Sequence, residues 1–121
     1  MSPFVQRFGE AVQALIGDGP VKQRLAHAYA RHLADVADAD LPAPLRREFG
    51  ELQAAMTRIS PVGSETRVRA SVQKMSPHEA AGHAGTIVKL YVELMNGHER
   101  AEPLKVVPQP RKAPRFLTGR S

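Results

Sequence analysis

PLRREFGELQAAMTRI, residues 44–59, is the stretch that decides the fold class. Leu45, Phe49, Leu52, Met56 and Ile59 recur at intervals of four and three, which sets all five on one narrow stripe of a helix. Arg46, Arg47, Glu48, Glu51, Gln53 and Arg58 occupy the remaining faces. Such a helix cannot bury its own stripe, so the spacing predicts a helix over Pro44–Ile59 that other helices must cover.

On its N-terminal side, Leu41-Pro42-Ala43-Pro44 is a stiff connector, because each residue before a proline is pushed out of the α region. Before it, Val21, Leu25, Ala28, Tyr29, His32 and Val36 predict one face of a helix running from Pro20 to about Ala37. Ser2-Pro3 is a good start for a first helix, a capping residue followed by a proline at the first helical position. Phe4, Val5, Phe8, Ala11, Val12, Leu15 and Ile16 give that helix a wide apolar face, and Gly17 with Asp18-Gly19-Pro20 closes it in a tight turn.

On the C-terminal side, Pro61-Val62-Gly63-Ser64 is a loop. Residues 66–73 fit two patterns. Val68, Ala70 and Val72 alternate with Arg67, Arg69, Ser71 and Gln73, as in a strand, yet Val68, Val72 and Met75 also fit a short helix. The helix is favoured, since the chain offers no second strand to pair with. Ser76-Pro77-His78-Glu79 is a capping box, opening a last helix with Ala80, Ala84, Ile87, Val88, Tyr91, Leu94 and Met95 on one face. Asn96-Gly97 is a C-terminal stop signal. The sequence therefore predicts an all-α bundle of four to five helices over residues 1–97, with the Pro44–Ile59 helix central. Residues 98–121, with prolines at 103, 108, 110 and 114 and no periodicity, are expected to form a flexible, Pro-containing tail.

Composition narrows the function. A chain of 121 residues holds one domain with a modest core, and 5% aromatics without Trp make that core aliphatic. No Cys is present, which removes disulfides, thiolate metal sites and a thiol nucleophile. No apolar run is long enough to span a bilayer and the N-terminus has no secretory pattern, so a cytoplasmic protein with no membrane association is expected. The net charge of +5 is unevenly placed: up to Glu102 there are twelve bases and twelve acids, and beyond it five bases and no acid.

Lys105, Arg111, Lys112, Arg115 and Arg120, with Phe116 and Leu117 among them, make the tail the leading candidate for partner binding. Lysines and arginines displace counterions from nucleic-acid phosphates, and basic tails also dock on acidic protein surfaces. The prolines do not form a PxxP ligand. A second candidate is Arg67 and Arg69: as a strand paired between two copies, their segment would read DNA in the major groove, although that architecture needs two following helices and only one is present. Gly82 and Gly85 fall opposite the apolar face of the last helix, where each costs about 1 kcal/mol relative to Ala. Close approach of a partner helix would account for them, as would simple tolerance.

Evidence for catalysis is thin. His78 and His83 are five apart, as are His27 and His32, which turns the second ring about 140° from the first on a helix. Neither pair is a metal site. Asp35, Asp38 and Asp40 lack the order of a calcium loop. There is no phosphate-binding glycine loop, nucleophile elbow or dinucleotide fingerprint, and no cofactor is expected. His32, inside an apolar stripe, is the one residue around which an enzyme or small-ligand site would be built. The expected function is non-catalytic: a small helical adaptor or accessory subunit whose basic tail binds an anionic partner.

Overall fold

The computed structural model describes residues 3–101, with side chains as far as residue 97. Five α-helices, α1 (Pro3–Ile16), α2 (Val21–Ala28), α3 (Ala43–Met56), α4 (Arg67–Gln73) and α5 (Pro77–Ala101), follow one another in the chain. A π-helical turn, Tyr29–Leu33, prolongs α2, and a 3-10 turn, Asp38–Asp40, precedes α3. No strand occurs among the described residues, so this part of the chain is all-α. No described helix is long and apolar enough to cross a membrane.

Leu45, Phe49, Leu52 and Met56 are all buried, as their spacing requires, and the Phe49 ring meets Phe8 edge-on with centroids 5.6 Å apart. The helix ends at Met56, three residues short of the expected Ile59. Thr57 leaves helical geometry at φ −132° and ψ 16°, and its hydroxyl donates back to the Gln53 carbonyl at 2.7 Å. Nor is α3 the hub. The most extensive packing joins α1 to α5 and to α2, while α3 lies against α4 and α5. Gly9 permits this arrangement, because a Cβ there would stand 3.2 Å from the Tyr91 ring.

Residues 67–73 are helical. Thr66 caps the segment by accepting the Arg69 N–H at 3.1 Å, and Val68, Val72 and Met75 are buried. Ser71 is wholly buried, with its hydroxyl accepting the Ile59 N–H at 3.0 Å. A ribbon presenting Arg67, Arg69, Ser71 and Gln73 together is therefore not formed.

The capping box of α5 is made in both directions: Glu79 N–H donates to Ser76 Oγ at 3.0 Å, and Ser76 N–H to Glu79 Oε1 at 3.1 Å. At the other end α5 runs through Asn96-Gly97 to Ala101. A glycine stops a helix by taking a positive φ, and among the described glycines only Gly19 and Gly63 do so.

Two apolar faces differ from their sequence reading. Past Ala28 the π turn adds a residue to the i→i+4 ladder, so Leu33 rather than His32 follows Tyr29 into the core. On α5 the buried set is Ala80, Ile87, Leu90 and Leu94, and Val88 and Met95 turn outward with Val92. Ile16, the last residue of α1, is 76% exposed.

Candidate functional site

Basic residues are concentrated along one edge of the bundle. α2, its π turn and α4 carry Lys22, Arg24, Arg31, Arg67 and Arg69 and not one acid. The two helices pack together, and Lys22 Nζ donates to the Gln73 carbonyl at 3.2 Å, fastening the end of α4 to the start of α2. The twelve-to-twelve balance of the chain up to Glu102 thus hides a local excess.

Between these helices lies a groove of about 550 Å³. Arg24, His27, Arg31 and Arg69 line it, and Asp18 is the only carboxylate among the described residues on its wall. Ala14, Ala26, Ala30 and Val68 supply an apolar floor. Arg24 is held by the turn between α1 and α2, donating to the Leu15 carbonyl at 2.6 Å and to the Gly19 carbonyl at 2.8 Å. Carbonyls orient a guanidinium without neutralising it. Arg31 and the side chain of Arg69 have no hydrogen bond or ion pair among the described residues. Two unpaired cations and one fixed cation therefore face the same space, an arrangement that attracts an anion.

By contrast, the carboxylates elsewhere are largely engaged. Asp35 pairs with Arg7, Glu51 with Arg47 at 3.4 Å, and Glu48 with Lys89 at 3.3 Å. Asp40, Glu65 and Glu79 accept backbone N–H groups.

His32 lies on a second hollow, of about 320 Å³, that shares Arg31 with the groove and is lined also by Pro3, Gln6, Arg7 and Glu10. Its Nδ1 is 3.4 Å from Glu10 Oε1. Among the described residues that line this hollow, none carries a hydroxyl or thiol. Arg7, besides pairing with Asp35, reaches the His32 carbonyl at 3.5 Å, so α1 secures the π turn. Among the described residues no three His, Asp or Glu side chains gather as a metal set.

Of the sites expected from sequence, Arg69 enters the groove, whereas Arg67 turns away and donates to the Thr57 carbonyl at 3.1 Å. Gly82 and Gly85 face open space, with nothing within 4 Å of a Cβ at either position. Lys105, Arg111, Lys112, Arg115, Phe116, Leu117 and Arg120 lie outside the described residues. Arg24, His27 and Arg31 are the additions. Their spacing at i, i+3 and i+7 is a legible basic stripe, in a segment free of acids from Lys22 to Ala34. The chain matches no known family model, and no curated protein or solved structure is significantly similar to it.

Proposed function

We propose that this is a non-catalytic binding protein, a small adaptor or accessory subunit of the cytoplasm that engages an anionic partner. The observation that carries the reading is that, among the described residues, the guanidiniums of Arg31 and Arg69 have no ion-pair partner and line a groove with one carboxylate, Asp18. The five basic residues after Glu102 extend the same electrostatic sign along the chain. Nucleic acid is the favoured partner, because phosphates recruit arginine through charge-assisted hydrogen bonds and through counterion release. An adaptor also needs a second contact. Gly85, Val88, Val92 and Met95, outward-facing on α5 at intervals of three and four, have the spacing that a partner helix packs against.

Binding of the full chain and of a 1–102 truncation to generic DNA and RNA across a salt series tests the reading. Full-length affinity is expected to fall steeply with salt, and the truncation to retain a weaker, shallower dependence. Absence of any salt-dependent binding by the full chain, to nucleic acid or to an acidic polypeptide, would refute it.

A further inference from the structure

We infer that the α2–α4 groove is a nucleotide site, seating a nucleoside phosphate with its phosphate on Arg31 and Arg69 and its base on the alanine floor. The inference rests on the anionic-partner reading and assigns that partner's chemistry at one place. Three features separate this groove from a merely basic surface.

The first is size. At about 550 Å³ the groove falls within the 300–1,000 Å³ typical of small-ligand sites, and is far larger than a lone phosphate or sulfate requires. The second is the mixed wall. Ala26 and Ala30 present small apolar groups on which a planar ring can lie, and arginine guanidiniums stack on such rings as well as bond to phosphate. A bare anion would gain nothing from that floor. The third is Asp18. A carboxylate repels phosphate, but it accepts hydrogen bonds from ribose hydroxyls and base amino groups. Cations, small apolar groups and the acceptors of Asp18 and Gln23 together match phosphate, base and sugar.

Recognition divides into two kinds of contact. Arg24, locked on the Leu15 and Gly19 carbonyls, loses no rotamer freedom when a ligand arrives. The side chains of Arg31 and Arg69 have no hydrogen bond or ion pair among the described residues, so contacts to a phosphate displace none there. Such a site takes either a free nucleotide or one unit of a single strand, and the two sources share this chemistry.

The test uses the full chain. Fluorescein-labelled decauridylate is bound and followed by anisotropy, with AMP and inorganic phosphate as competitors, and amide shifts are recorded as AMP is titrated into the wild-type protein. Shifts should concentrate at Ala26, Ala30, Val68 and Arg69, and AMP should compete better than phosphate. Arg31→Ala with Arg69→Ala should weaken decauridylate binding roughly tenfold or more, as expected for lost hydrogen bonds to charged groups. The charge-matched pair Arg58→Ala with Lys74→Ala, exposed and outside the groove, should cost much less. Decauridylate binding far tighter than AMP identifies a strand as the source, and equal affinity identifies a free nucleotide. If both double variants weaken binding equally, or if AMP shifts map elsewhere, the groove is not the site, though an anionic partner still stands. Binding of polyglutamate without decauridylate or AMP overturns the nucleotide assignment alone. Binding of none of the three removes both readings. The shift map needs no variant, so a misfolded double variant leaves the inference testable.

Discussion

Ser71 shows how much one buried polar atom can hold. Its hydroxyl, without solvent access, accepts the Ile59 N–H across the α3–α4 connection. Ser71→Ala leaves that amide without its partner and should cost about 1–3 kcal/mol, read as a lower midpoint in urea unfolding. Nothing in the alternation of 66–73 marks this serine as internal, since its partner is a backbone group twelve residues away. Tyr29 gives a prediction in pH. Burial raises its phenol above the ordinary value near 10, with a hydrogen bond to the Gln53 side chain pulling weakly the other way. The folded state therefore binds the phenolic proton more tightly than the unfolded chain does. The resulting stabilisation is complete below about pH 10 and disappears as pH rises through the elevated folded value. Tyr29→Phe should abolish that share of the alkaline loss in a series of thermal melts, whereas an unchanged profile would place its origin elsewhere.

Three helical glycines separate what spacing reveals from what only packing reveals. Gly82 and Gly85 lie on the outer side of α5, as the wheel indicates, with open space around them. Replacing each with Ala should stabilise the fold by about 1 kcal/mol, visible as a higher melting temperature. Gly9 looks no different in sequence, yet it abuts the Tyr91 ring. Gly9→Leu should destabilise by about 1–3 kcal/mol through overpacking of the α1–α5 contact, while Gly9→Ala asks only a small adjustment of the ring. Helix existence was legible for α3 and α5, because the apolar stripe of Leu45–Met56 is a local pattern and the Ser76–Glu79 box is a local device; residues 66–73 fit strand and helix alike, and only the lack of a second strand favoured the helix that forms. Phase and ends were less so. The π turn that exchanges His32 for Leu33 is secured by Arg7 from another helix, and no window of residues 29–33 contains that information. The extension of α5 past Asn96-Gly97 has a related origin, since a glycine stops a helix only where its φ turns positive. Of the groove's basic lining, Arg69 alone is singled out by the sequence reading, and there as part of a strand that is not formed; the Arg24, His27 and Arg31 stripe is visible in the spacing, but its neighbour across the groove appears only once α2 is laid beside α4.

At the scale of the molecule, counting charges and locating them give different answers. The 1–102 chain has no formal excess, yet α2, its π turn and α4 carry bases and no acid, and most of the acids among the described residues are engaged elsewhere. It should accordingly be retained on heparin at low salt in spite of its neutrality, with Arg31→Ala and Arg69→Ala together lowering the salt needed for elution. A 1–102 chain that flows through unretained would show the edge to be too weakly basic to act without the residues that follow. The separation has a further consequence. A body without net charge is not drawn toward a polyanion from a distance, but a body with its positive and negative charge at different places has a dipole moment, and the field of a polyanion exerts a torque on it. Were a polyanion its partner, as proposed, such a molecule would arrive already turned, its groove leading, and a larger share of encounters would begin in a productive orientation than random tumbling allows.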